Sequence, residues 1–359
     1  MDASGLRAEF SVLAEIAYLN AGTDGPLPES AVHACREELE RELRDGRAVE
    51  HFKRRSELGK ALRAGYARAL RCDPADLALT TCTTEGIGQV VGGLALESGD
   101  EILTSDEEHP GLLGPLGAAR QLRGVEVRQV PLAEIAQAVG PRTRLVACSH
   151  VGWMSGSVAP AELRELEVPV LLDGAQGVGA VHVDVETLGC DAYAGAGQKW
   201  LCGPDGTGML YVAPHLRERL GISRRAYPNL ADPDAGIDAA LHPDARCLDS
   251  PGLSAEALAC ALAALEVLEA AGWPEVHERA RTLCGRLVQM LAEHGREPAP
   301  RGDTTLVSFA SPDPDGERAK LVEAGVVLRN IPGRPWLRAS VGAWNDEEDL
   351  ERLIGALVR

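Results

Sequence analysis

Leu171 to Ala180 reads LLDGAQGVGA: an aliphatic run that stops on a carboxylate, Asp173, with Gln176 three residues further on. With the VPV before it the run is short, apolar and bounded, as expected of a strand buried on both faces of a sheet. In an open parallel sheet, ligands sit beyond the carboxyl ends of the strands. Asp173 therefore stands where a ligand is expected.

Working outward, the same grammar repeats. LALTT (77–81) precedes a helical pattern from Glu85 to Leu96, EILTS (101–105) precedes GLLGPLGAARQL, and VEVRQVPL (125–132) precedes AEIAQAV. RLVACSH, AELREL and VPVLLD follow, and then two further strand candidates, CDAYAGA and TGMLYV. Short apolar runs alternating with helical periods indicate a mostly parallel sheet with crossover helices, an α/β fold. The C-terminal third changes character. Helices over Ser254–Ala271 and Glu275–His294 lead into strand TTLVSFA, helix GERAKLVEAG, strands VVLRN and WLRAS, and helix DEEDLERLIGAL. We expect residues 21–249 to form a large domain, 250–359 a smaller α+β domain, and 1–20 a segment packing on the small domain.

Bulk chemistry narrows the function. The 359 residues are 45% apolar and 25% charged, ordinary for a globular enzyme, and long enough for more than one core. With 36 basic and 54 acidic residues the formal charge is −18, which repels phosphate backbones and anionic lipid. Nucleic acid and membranes are thus not expected partners. The opening MDASGLRAEF has neither the basic nor the apolar region of a secretory signal, and no apolar stretch is long enough to span a bilayer. The nine cysteines are scattered singly without a CxxC pair, so no zinc site or disulfide framework is expected and the thiols read as reduced and cytoplasmic.

Several polar residues fall at the ends of the strands. Thr83 and Thr84 open the helix after the first strand, where free backbone N–H groups suit a phosphate. His109 follows the second strand in DEEHPG, Asp173 and Gln176 follow VPVLLD, and Lys199 sits in the glycine-rich AGAGQKWLCGPDGTG. Each alone has a bland explanation: a helix cap, a loop histidine, a surface lysine. No P-loop, HExxH or nucleophile elbow is present, and GAGQKW lacks the third glycine of a dinucleotide fingerprint. Pyridoxal phosphate uses all the parts together. It needs an anion site, a carboxylate for its ring nitrogen, a donor to its phenolic oxygen, a flat group over the ring and a lysine for a Schiff base. A metal-dependent hydrolase built on DEEH is the rival from another enzyme class; no metal ligand is assigned.

With those residues in hand, the chain resembles the class V, fold type I, pyridoxal-phosphate enzymes. YLNAGTDGPLP, TTCTTEGIG, DEEHPG, LLDGAQGVGAVHVDV, GQKWLCGPDGTGMLYV and LRASVGAWNDEEDLERLI carry the resemblance, in order, from Tyr18 to Leu357. Within that family DEEHPG, SHVGWMSG and KWLCGP are most similar to cysteine and cystine C–S lyases. The resemblance implies Lys199, His109 and Asp173 as catalytic residues. It implies Thr83, Thr84, Gln176, Gln198 and Ser250 as further cofactor contacts, and a homodimer in which the Ser250 loop reaches the neighbouring site. Arg338 matches the arginine that grips a substrate carboxylate. Asn20 and Arg329 are further candidates for that anion, and Trp153 is either pocket wall or core.

Three departures from the family pattern matter. No cysteine follows Cys284, Gln198 and Ala196 replace a usual histidine and hydroxyl residue, and Trp153 stands where desulfurases have asparagine. The expected reaction is α,β-elimination from cystine or an S-substituted cysteine. Transamination, an isopenicillin-N-epimerase-like racemisation, and desulfurase or selenocysteine lyase activity are the alternatives.

Overall fold

The computed structural model of the protein describes residues 1–358. After α1 (Ala3–Ala8) and β1 (Ala17–Tyr18) come two long helices, α2 (Glu29–Asp45) and α3 (Val49–Leu70). The repeating units then begin: β2 (Leu77–Thr80), α4 (Thr83–Gly93), β3 (Glu101–Ser105), α5 (Pro110–Arg123), β4 (Glu126–Val130), β5 (Thr143–Ser149) and β6 (Val170–Asp173). They continue through α6 (Val185–Leu188), β7 (Ala192–Ala196), β8 (Gly208–Val212) and α7 (Pro214–Arg217).

The seven strands order as β2-β8-β7-β6-β5-β3-β4. Only β8 runs against its neighbours, so the other six point their carboxyl ends to one edge. Every residue of β2, β3, β6, β7 and β8 is buried, whereas edge strand β4 is open to solvent. Alternate residues feed two cores. Leu77, Leu79, Leu103, Leu172 and Tyr193 face α3. Ala78, Ile102, Leu145, Leu171 and Leu210 face α4 and α5. Two expected helices appear instead as short 3-10 turns, Leu132–Glu134 at the start of AEIAQAV and Ala161–Glu165 within AELREL.

The rest of the chain is α8 (Ala255–Ala271), α9 (Trp273–Glu293), β9 (Leu306–Ala310), α10 (Pro314–Glu323), β10 (Val326–Val327), β11 (Arg329–Asn330), β12 (Trp336–Ser340) and α11 (Glu347–Leu357). Strands β11-β12-β9 form an antiparallel sheet, and β1 pairs in parallel with β10. Ala17 and Leu19 share a core with Leu283, Phe309 and Leu350, and Arg7 reaches Asp346 and Asp349 at 3.0 and 2.8 Å. Helix α8 differs from the expectation drawn at residue 250. Its Leu258, Leu265 and Leu268 complete the large core beside Leu62 and Tyr66 of α3, because its apolar face is broad and the sheet's α3 side would otherwise stand open. Among the described residues no helix is long and apolar enough to cross a membrane.

Candidate active site

Five strand ends meet at one edge of the large sheet. Beyond β2, α4 opens at Thr83 with Cys82 as an extended N-cap that gives no side-chain hydrogen bond. The first-turn N–H groups are therefore free of a side-chain cap, and a helix start in that state attracts an anion. The Thr83 hydroxyl is buried with no partner, while Thr84 is exposed. The adjacent Glu85 takes the Thr81 N–H and hydroxyl, both at 2.6 Å.

Beyond β3, His109 caps α5: its Nδ1 accepts the Gly111 N–H at 3.0 Å, which leaves the proton of the neutral ring on Nε2. Burial, followed by the charges of Lys199, Arg329 and Arg338, pushes its pKa down to about 4. The ring is therefore neutral and meets the Trp153 indole edge-on, with centroids 5.1 Å apart and planes at 90°. Trp153, beyond β5, is itself buried with an unpartnered indole N–H.

Asp173 ends β6. It is buried and accepts the Ala175 N–H at 2.9 Å. Burial raises its pKa, opposed by that hydrogen bond and by Lys199. The turn after it rests on Tyr193, since a Cβ at Gly174 or Gly177 would collide with that side chain. The Tyr193 hydroxyl lies 3.1 Å from His150 Nδ1. Gln176 is fixed at both ends of its amide. Its Nε2 donates to Gly22 O at 2.7 Å and its Oε1 accepts from Trp200 Nε1 at 2.9 Å. One amide hydrogen is left for a ligand.

Lys199 follows β7 in a closed turn, with Gly203 N–H on Gly197 O at 2.9 Å and Cys202 held at φ 55°. The Gln198 carbonyl takes the Gly25 N–H at 2.7 Å, and its side-chain oxygen is buried without a partner. Lys199 lies deep but keeps some accessible surface. Burial lowers its pKa to about 8, opposed first by Asp173, with Arg338 and Arg329 lowering it and Asp24 raising it. A partly neutral amine near neutral pH is a competent nucleophile and base.

The small sheet supplies the opposite wall. Arg329 of β11 and Arg338 of β12 are direct cross-strand partners. Like charges placed so are mutually unfavourable. Arg338 is fully buried, and Nη1 donates to Trp153 O at 2.5 Å while, among the described residues, Nε and Nη2 have no partner. Burial and Arg329 together bring its pKa down to about 9. Arg329 lies over the Trp153 ring at 5.4 Å. Gly22 closes on this group: a Cβ there would sit 2.8 Å from Arg338 Nη2 and 2.9 Å from Gln176 Oε1.

The structure thus brings Lys199, Asp173, His109, Trp153, Arg329 and Arg338 around one cleft, with Gln176 tied into its wall. Two candidates stand further out. The Asn20 amide oxygen is taken at 2.8 Å by the Thr23 hydroxyl, which in turn lies 3.5 Å from Arg329 Nη1, and the Asn20 backbone bridges Ser340. Ser250 is buried against its own sheet, its N–H on Leu79 O at 2.8 Å, and joins none of these contacts. Sequence reasoning passed over Glu107, Glu108, Ser155 and Tyr193. The DEEH motif was the available signal for the first two, but their partners lie on other strands.

A family profile described as "Aminotransferase class-V" matches residues 17–353. The isopenicillin N epimerase of Streptomyces clavuligerus is 30% identical over 95% of this chain and 94% of its own length. A probable cysteine desulfurase of Pseudomonas aeruginosa is 34% identical over 80% of this chain and 78% of its own. Among solved structures, the cystine C–S lyase C-DES with its reaction product cysteine persulfide superposes with a TM-score of 0.92 at 28% identity, over 97% of this chain and 98% of that one.

Proposed function

This chain belongs to the class-V aminotransferase family, and from that premise we propose that it is a C–S lyase. Its substrates are cystine or S-substituted cysteines, and its products are pyruvate, ammonia and a thiol or persulfide. Its cofactor is pyridoxal 5′-phosphate, which when bound supplies a sink for negative charge left at an amino acid's Cα. The residues fit that group. The free N-terminus of α4 and the unpartnered Thr83 hydroxyl suit its phosphate, buried Asp173 a ring nitrogen, and the neutral face of His109 a flat ring. Lys199 suits the covalent tether. Gln176, with one amide hydrogen left over, and Gln198, with an unpartnered side-chain oxygen, suit further hydrogen bonds to it.

One observation carries the substrate class: two arginines opposite each other on adjacent strands, one fully buried, and among the described residues no acid in ion-pair contact with either, Asp24 acting on Arg329 only through its charge. A buried unpaired cation costs several kcal/mol, more than any packing gain from its stem returns. A guanidinium so placed suits the α-carboxylate of an amino acid, in bidentate fashion. Arg329, stacked on Trp153, suits a second carboxylate such as cystine carries. Lys199 moves the proton at Cα as general base, and the buried walls of Trp153 and Trp200 keep water from that carbon. We further propose that the chain acts as a homodimer, with Ser250 reaching the partner's site.

Desulfuration needs a thiol that reaches the substrate sulfur, and the segment from Arg329 to Arg338 carries none. Epimerisation needs a second base across from Lys199. His109 offers a donor at Nε2 instead, because its Nδ1 is occupied. The deciding experiment supplies cystine, cysteine and S-methylcysteine and measures pyruvate against alanine. Pyruvate as the main product supports elimination; alanine would return the desulfurase reading, and inversion without either product the epimerase reading.

A further inference from the structure

Three consecutive residues beyond β3 hold three different things. His109 faces the cleft. Glu108 is buried and ties β3 to β5, accepting from Ser105 Oγ at 2.5 Å, Ser149 N at 2.9 Å and Ser149 Oγ at 2.6 Å. Glu107 reaches elsewhere, to the loop that carries Trp153. Its carboxylate accepts the hydroxyl of Ser155 and lies 3.5 Å from that of Ser157. The two serine hydroxyls are 2.8 Å apart, and the Ser157 N–H donates to Ser155 Oγ at 3.0 Å. The carboxylate approaches so closely that a Cβ at Gly152 would strike it. Among the described residues no cation pairs with Glu107, so this half-buried charge is committed to two serines.

The same loop is gripped from the small sheet's side. Gly156 O accepts from Thr304 Oγ1 and from Gly302 N, both at 3.0 Å, and Met154 O accepts from Ser308 Oγ at 2.5 Å. Trp153 O is the acceptor for Arg338. Among the described residues, only the Glu107 contact ties the loop's serines to the strand end that bears His109.

We propose that Glu107 is a positioning residue for substrate recognition, holding the Gly152–Ser157 loop so that Trp153 stands edge-on to His109 while its carbonyl orients Arg338. The inference rests on the reading of Arg338 as the carboxylate grip. Glu107 does not touch the substrate; it acts through Ser155, and what it sets is the direction of the guanidinium. Its loss therefore weakens carboxylate binding while the cofactor's own contacts at Thr83, Asp173 and Lys199 stay in place.

The test is a double-mutant cycle on the holoenzyme, read by the Kd for glycine from the change in cofactor absorbance. E107A and S155A should each raise that Kd about tenfold, or about 1.4 kcal/mol, and the double variant no further. E107Q, which keeps one acceptor, should recover most of the affinity. Unchanged binding in E107A, additive effects in the double variant, or an E107Q as weak as E107A would overturn the proposal. A second readout needs no ligand: acrylamide quenching of Trp153, isolated by subtracting a W153F background, should rise in E107A. Unchanged quenching would refute the loop's dependence on Glu107. A wild-type holoenzyme that fails to bind glycine while quenching behaves as expected would instead refute the amino-acid reading.

Discussion

The two walls of the cleft are built on opposite electrostatic terms. On the large sheet Lys199 faces Asp173, each favouring the charged form of the other, and burial opposes both. On the small sheet Arg338 faces Arg329, and each cation makes the other harder to bury. The first wall pairs opposite charges against the cost of burying them. On the function proposed above, the second is completed by the substrate's carboxylate. A fold that keeps such an arrangement trades stability for recognition, and that trade can be measured on each wall separately.

The largest effect falls on the balanced wall. Lys199→Ala should lower turnover by about 10³-fold or more, since it removes both the tether and the base; steady-state kinetics on cystine would register it. Turnover within about tenfold of wild type would break the assignment. On the unbalanced wall, Arg338→Met should lower kcat/KM about 100-fold through the loss of a charge-assisted grip. The same change should raise the thermal midpoint of the cofactor-free protein by a few degrees, because it removes a buried unpaired charge. A fall in that midpoint would show that Arg338 is paid back by structure alone.

Smaller effects sharpen the balanced wall. Thr83→Ala should weaken pyridoxal-phosphate binding about tenfold, about one hydrogen bond to a charged group, whereas Thr84→Ala should change it little because that side chain is exposed. Equilibrium dialysis separates the two. The pH profile of cofactor capture by the cofactor-free protein reports the amine directly. Only neutral Lys199 attacks, so the rate should rise with pH through a midpoint near 8, the value that burial imposes. An unperturbed lysine would place that midpoint near 10.4.

How much of this was legible in the sequence follows from the range of the contacts. The fully buried strands announce themselves as short apolar runs, and their ends mark Thr83, His109, Asp173 and Lys199 because the chain turns there whatever the tertiary detail. Helix α3 buries Leu58, Leu62, Tyr66 and Leu70 at helical spacing, so its core face was readable, but α2 buries only Ala31 and Glu38 and carries little signal of its own. Arg338 and Arg329 were both legible as candidates for a carboxylate, but their direct opposition was out of reach. It depends on the register of β11, a strand of two residues. Glu107 was hidden for a related reason: its partner Ser155 lies 48 residues away on another strand's loop. Helix α8 was assigned to the smaller domain because sequence order places it there, whereas the exposed face of the large sheet claims it.

The central claim is that one amine, opposite Asp173 and within reach of Arg338, holds the cofactor. Borohydride reduction of the yellow holoenzyme, followed by peptide mass mapping, tests it most directly. The account predicts a pyridoxyl label on Lys199 alone, with the exposed Lys53, Lys60 and Lys320 unmodified. A label on any of those three, or a reduced protein carrying no label, would contradict it.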